Sequence, residues 1–118
     1  MPESRARVLV VEDEYLIRIL VEDMLADLGY DVAAAVGTFA EASAQAAKGE
    51  FDAAILDVNL DGRAIYPVAD ILAKRGLPFV FVTGYGERSL APPYRDHLVL
   101  PKPFQVGQLK DALSALLA

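Results

Sequence analysis

Two kinds of apolar pattern alternate along this chain. The first is a short unbroken run: Val8-Leu9-Val10-Val11, Val32-Ala33-Ala34-Ala35-Val36, Ala54-Ile55-Leu56, Phe79-Val80-Phe81-Val82 and Leu98-Val99-Leu100. Runs this short suit strands covered on both faces better than buried helices. The second pattern is a helical repeat. At 100° per residue, Ile17, Leu20, Val21, Met24 and Leu28 form one stripe of a helix over 14–28, which stops at Gly29. Leu16 and Ile19 fall off that stripe and are expected on the outer face. Thr38 should cap an alanine-rich helix over 39–48 that ends at Gly49. A third helix is expected over 65–74, with Pro67 tolerable only in its first turn. A last helix, 105–117, would bury Val106, Leu109, Leu113 and Leu116 or Leu117.

Strands and helices therefore alternate until residue 83. Between Thr83 and the last strand, placed at 97–100, Pro92-Pro93 opposes a full helix, because proline lacks an N–H and restricts its predecessor. The fourth helix is expected to be short or absent. Parallel strands joined by right-handed crossovers then predict an α/β fold. It is a five-stranded, parallel, doubly wound, flavodoxin-like sheet of order 2-1-3-4-5. In such sheets ligands bind outside the carboxyl ends of the strands.

The residues at those ends carry the candidate chemistry. The first strand ends in Glu12-Asp13-Glu14, the third in Asp57, the fourth in Thr83, and Lys102 follows the fifth. Plainer readings exist. Asp57 alone is a possible turn or cap residue, and Glu14, or even Glu12, suits the dipole of the next helix. As a set, the residues divide one task. Adjacent carboxylates repel unless a cation sits between them, and hard Mg²⁺ takes carboxylates, waters and phosphate oxygens. Asp57 can attack phosphorus as a nucleophile. Lys102 offers a point charge to a phosphoryl oxygen and the Thr83 hydroxyl a hydrogen bond.

Composition narrows the picture mainly by exclusion. The chain has 118 residues, 54% of them hydrophobic, which suits one globular domain spanning 1–118. It has no cysteine and one histidine, His97, so disulfides, thiol chemistry and Cys- or His-rich metal sites are out. The net charge of −6 argues against unaided binding to nucleic acid or an anionic membrane. No apolar run has the length of a membrane span, and residues 1–5 lack a signal-peptide core. A cytoplasmic protein with no attached output domain is the expectation.

Glu12-Asp13, Asp57 within Leu-Asp-Val-Asn, Thr83 and Lys102-Pro103-Phe104 together resemble the receiver domain of two-component response regulators, over essentially the whole chain. The resemblance implies that Asp57 accepts a phosphoryl group from a histidine kinase or histidine phosphotransfer protein. It implies Mg²⁺ held by Asp13, Asp57 and the Asn59 main-chain carbonyl, with Glu12 reaching through water. Thr83 and Lys102 would bind phosphoryl oxygens, and the Lys102-Pro103 bond would be cis. Such a domain is not an enzyme beyond its own phosphotransfer and slow autodephosphorylation. Receivers meet their phosphodonor through the first helix and the loop after the fifth strand, which makes Leu16, Ile19, Pro103 and Phe104 the candidate interface. Two departures stand out. Val99 occupies the place where receivers carry Tyr or Phe, and the fourth helix is weak. With Phe79-Val80-Phe81-Val82-Thr83-Gly84-Tyr85-Gly86, these resemble the "FAT GUY" subgroup and imply a switch built from Thr83 and Tyr85. A stand-alone receiver, a receiver cut from a larger kinase or regulator, and a pseudo-receiver that never takes phosphate are the alternatives. A metal-dependent phosphatase ranks last, for want of a substrate pocket.

Overall fold

A computed structural model describes residues 5–84 and 90–118. The chain runs β1 (Arg7–Val11), α1 (Tyr15–Asp27), β2 (Asp31–Val36), α2 (Phe39–Lys48), β3 (Ala53–Asp57), β4 (Asn59–Leu60) and β5 (Arg63–Ala64). It continues as α3 (Tyr66–Lys74), β6 (Phe79–Thr83), a 3₁₀ turn (Pro92–Tyr94), β7 (Val99–Pro101) and α4 (Val106–Leu116). The main sheet is parallel, in the order β2-β1-β3-β6-β7. Counting main-sheet strands alone, that is the expected 2-1-3-4-5. Among the described residues, the 3₁₀ turn is the whole of the helix between β6 and β7.

The unbroken apolar runs work because each strand is covered twice. Leu9, Val11, Ala54, Leu56, Phe79 and Phe81 point to one face, where Ala42 and Ala46 of α2 and Val68, Ala69 and Leu72 of α3 close the core. Val8, Val10, Ala53, Ile55, Val80 and Val82 point to the other, against Val21 and Leu25 of α1 and Leu109, Ala112 and Leu113 of α4. The alternation is the period-two pleat of a strand. In α2 the Thr38 side chain accepts from the Glu41 N–H at 3.1 Å, the expected cap.

Three expectations need correction. The buried face of α1 centres on Val21 and Leu25, while Leu20 is exposed and Ile19 half-buried. Ile17, Met24 and Leu28 pack against the sheet with Val21 and Leu25 as the stripe implies, so Leu20 is the one stripe residue that falls outside. Val106, the first residue of α4, is exposed instead of buried. His97 precedes the last strand instead of opening it. Its ring stacks on Phe79 at 4.4 Å between centroids, and its Nε2 lies 2.8 Å from the Phe79 carbonyl oxygen.

That histidine belongs to an aromatic cluster that fastens the 90–97 stretch. Tyr66 stacks on Tyr94, and both meet Phe81 edge-on. The Tyr66 hydroxyl accepts from the Ala91 N–H at 3.0 Å, and the Tyr94 hydroxyl donates to Asp70. Burial and the Asp70 carboxylate push the Tyr94 hydroxyl up to about 12. Tyr66→Phe keeps the rings and removes only the acceptor. It is expected to cost about 1 kcal/mol, read as a lower urea midpoint at unchanged m-value. An unmoved midpoint would show that the hydroxyl does not hold Ala91.

Candidate functional site

Strand register assembles the site. Val11 pairs with Leu56, Asp57 with Val82, and Thr83 with Pro101, so β1, β3, β6 and β7 finish along one edge. The Lys102 N–H donates to the Thr83 carbonyl at 2.8 Å, carrying the β7 ladder one step further. The Lys102-Pro103 peptide is cis. The Glu12 N–H donates to the Val36 carbonyl, and Arg18 reaches back from α1 to the Glu12 carbonyl at 2.8 Å. The sheet thus fixes the backbone on each side of the cleft.

β4 and β5 form a two-residue hairpin around Asp61 and Gly62, both with positive φ. A positive φ at both central residues is the type I′ turn that Asp-Gly favours. Hydrogen-bonded and open pairs alternate in an antiparallel ladder. The Ile65 N–H donates to Val58, so Asn59 opposite Ala64 is an open pair. Its polar backbone is left out of the ladder, and its N–H instead donates to Asp57 Oδ1 at 3.2 Å. The hairpin tip also serves the site, since the Asp61 N–H donates to Asp13 at 2.9 Å. The sequence marks Asp61-Gly62 as a turn; its role as a brace for Asp13 appears only in three dimensions.

Asp13, Glu14, Asp57, Asn59, Gly62, Gly84 and Lys102 line one cleft of about 300 Å³. Glu12 and Asp57 are buried beneath it. The Lys102 ammonium lies 2.8 Å from Glu12, 3.2 Å from Asp57 and 3.7 Å from Glu14. Thr83 is buried at the same strand edge but is not among the lining residues. Tyr85 lies outside the described residues. Of the expected interface, Pro103 and Phe104 line an apolar groove with Ile17, Leu20, Val21 and Met24. Leu16 is exposed, and neither it nor Ile19 lines that groove.

Charge is unevenly satisfied. Burial and the neighbouring Glu12 carboxylate push Asp57 up to about 7, against the pull of Lys102. Burial alone would lower the Lys102 ammonium, but Glu12 and Asp57 outweigh it and hold it above the ordinary range. Burial also opposes ionisation of Asp13, yet hydrogen bonds led by the Asp61 N–H hold it below its ordinary value. One cation thus serves Glu12 most closely and leaves Asp57 short of positive charge.

A stability effect follows. The Asp57 value rises from 3.8 to about 7 on folding. Any stability tied to its protonated form is complete below about pH 4 and is lost as pH climbs through 7. Each unit is worth about 1.4 kcal/mol, and losing the attraction to Lys102 takes part of it back. Asp57→Asn is therefore expected to stabilise the metal-free protein above neutrality by on the order of 2 kcal/mol. The gain should vanish near pH 4. Thermal melts across that range in EDTA check this, and a gain independent of pH would contradict it.

The donors suit a hard divalent cation. Glu12, Asp13 and Asp57 each bring one carboxylate oxygen to within 4.8 Å of the others. An all-oxygen set of carboxylates is what Mg²⁺ accepts, with waters completing its shell. The deficit of positive charge at Asp57 points the same way.

Comparison with known proteins agrees with this geometry. The family described as response regulator receiver domain matches residues 8–114. The transcriptional regulatory protein PdtaR of Mycobacterium tuberculosis is 35% identical over 111 residues, covering 91% of this chain and 54% of that protein. The phyllosphere-induced regulator PhyR of Methylorubrum extorquens is 32% identical over 119 residues, covering 98% of this chain and 45% of that protein. The chain spans about half the length of the curated relatives it matches. The solution structure of SdrG from Sphingomonas melonis Fr1 superposes with a TM-score of 0.86 at 44% identity, covering 99% of this chain and 100% of that one. The BeF₃-activated conformation of SdrG gives 0.80 at 43%, covering 98% and 100%.

Proposed function

The chain belongs to the response regulator receiver family, and on that premise we propose that it is a Mg²⁺-dependent phosphoacceptor. Asp57 takes a phosphoryl group from a histidine kinase or histidine phosphotransfer protein, and the phosphorylated domain signals by binding another protein in the cytoplasm. The observation that carries this reading is Asp57 itself. It is a buried carboxylate at a strand end, in a cleft that Gly84 also lines and that holds, among the described residues, one cation and two more acids. The existence of a BeF₃-activated SdrG supports it, as a relative that takes up a phosphoryl-like group.

In this reading an Asp57 carboxylate oxygen attacks phosphorus. The O–P bond forms as the P–N bond of the phosphohistidine breaks, and the electron pair leaves with the imidazole nitrogen. The Lys102 ammonium, already 3.2 Å from Asp57, moves onto a phosphoryl oxygen as the Asp57 charge is lost to the acyl phosphate. The Asn59 N–H keeps the carboxylate oriented throughout. Bound Mg²⁺, held by Asp13, Asp57 and the Asn59 carbonyl with Glu12 behind, would neutralise charge on the transferring group. Thr83 would hold a further phosphoryl oxygen, and with Tyr85 it would report the phosphorylated state. The domain is not an enzyme in the ordinary sense, since the group it moves ends on its own side chain. Positioning and charge neutralisation supply the rate.

The surface proposed to meet the phosphodonor is Leu16 and Ile19 of α1 with Pro103 and Phe104, the last two lining an apolar groove with Ile17, Leu20, Val21 and Met24. Among the described residues no helix is long and apolar enough to cross a membrane. Incubation with phosphoramidate and Mg²⁺ tests the reading: phosphate should enter the protein, and EDTA should stop it. Uptake that is indifferent to EDTA would refute the metal assignment. No uptake under either condition would leave a pseudo-receiver that acts by binding alone.

A further inference from the structure

Glu14 is not used as the sequence suggests. It occupies the N-cap of α1, with φ −82° and ψ 113°, yet its side chain makes no capping hydrogen bond. Its N–H donates to Glu12 Oε2 at 3.0 Å, which ties the turn to the buried acid. Its carboxylate, about two-thirds exposed, lies across the cleft mouth 3.7 Å from the Lys102 ammonium. An acid at a helix start normally satisfies free N–H groups. This one faces the reaction cleft instead.

We propose that Glu14 sets the charge selectivity of the Asp57 cleft, disfavouring small dianionic phosphodonors relative to donors of lower charge. The inference rests on the reading of Asp57 as phosphoacceptor and deepens it. Among the described residues, three carboxylates line the cleft against one ammonium. Asp13 and Asp57 belong to the cluster that suits a metal, but Glu14 does not. Its charge therefore persists at the mouth when the metal charge is met. It acts in two ways on an arriving donor. It repels the phosphoryl oxygens directly, and it competes with them for Lys102 once that ammonium lets go of Asp57. Of the other lining residues, Asn59, Gly62 and Gly84 carry no charged side chain. A unit charge roughly 7 Å away in a water-like medium changes a rate by about threefold per unit of donor charge. Glu14 touches no reacting atom in this picture; it is a specificity residue.

The test compares two donors on the full chain with Mg²⁺, following phosphate uptake by intact mass. Acetyl phosphate is a dianion near neutral pH, whereas phosphoramidate carries about one net negative charge. Glu14→Gln should raise the acetyl phosphate rate relative to the phosphoramidate rate by about threefold. Glu14→Lys should raise the ratio further, and Glu14→Asp should leave it near wild type. The difference should shrink when ionic strength is raised about tenfold, because the charge is exposed. A ratio unmoved in both Gln and Lys variants overturns the inference, as does a change that salt does not touch. A wild-type chain that takes phosphate from neither donor overturns the Asp57 reading instead, and this inference with it.

Discussion

Lys102→Ala is expected to destabilise the metal-free protein by about 3 kcal/mol near pH 8 and by much less near pH 5. Its ammonium is mostly buried and contacts two buried acids, Glu12 at 2.8 Å and Asp57 at 3.2 Å. Removing one partner from such a group strands the others in a poorly hydrated site, which generally costs 3–5 kcal/mol. Here protonation offers relief. Asp57 already sits near 7 because burial and Glu12 push it up, and losing Lys102 removes the one charge pulling it down. Its value should climb further, so the penalty falls wherever Asp57 can hold its proton. Urea unfolding in EDTA across pH 5 to about 8 measures both arms. A penalty that stays flat over that range would mean that Lys102 stabilises through its packed carbon chain alone. For function, the same variant should lose most of its response to phosphorylation, because among the described residues Lys102 is the cationic side chain that lines the cleft.

Asp13→Asn is expected to weaken Mg²⁺ binding by at least about tenfold and to slow phosphorylation of Asp57 in proportion at subsaturating metal. Perturbing even the groups behind metal ligands costs about 10–100-fold in affinity, and Asp13 is assigned as a ligand. The substitution suits the test because folding should barely notice it. Asp13 is only partly buried, and the Asp61 N–H that braces it can still find the amide oxygen of asparagine. Titration calorimetry with Mg²⁺, beside the uptake rate at several Mg²⁺ concentrations, separates a binding defect from a chemical one. Unchanged affinity would move the metal away from Asp13.

Much of this architecture is legible in the chain because strands buried on both faces leave a simple mark. The first two strands, 7–11 and 31–36, each begin one residue before their apolar runs and end with them, and α2 has the bounds 39–48 that its cap and Gly49 imply. The sheet order follows from right-handed crossovers. The strand-end residues converge because register aligns Val11 with Leu56 and Asp57 with Val82. Less legible was anything decided by orientation. α1 carries apolar residues at 15, 16, 17, 19, 20, 21, 24 and 25, and no repeat in such a helix distinguishes Leu20 outside from Leu25 inside. The 59–64 hairpin is two residues per strand, too short for any periodic signal, although Asp61-Gly62 marks its turn. His97 extends an apolar run in sequence but joins Phe79 and Tyr94 in space. Glu14 obeys the rule for a helix start in type and position, yet Lys102, distant in sequence, takes its side chain.

The central claim is that Asp57 is the atom-level address of the phosphate. Intact-mass analysis after incubation with phosphoramidate and Mg²⁺, followed by peptide mapping, tests it directly. The account predicts one added phosphate on the wild-type chain, located at Asp57 and absent from Asp57→Asn. Full labelling of Asp57→Asn, or a wild-type chain whose mass does not change, would contradict it.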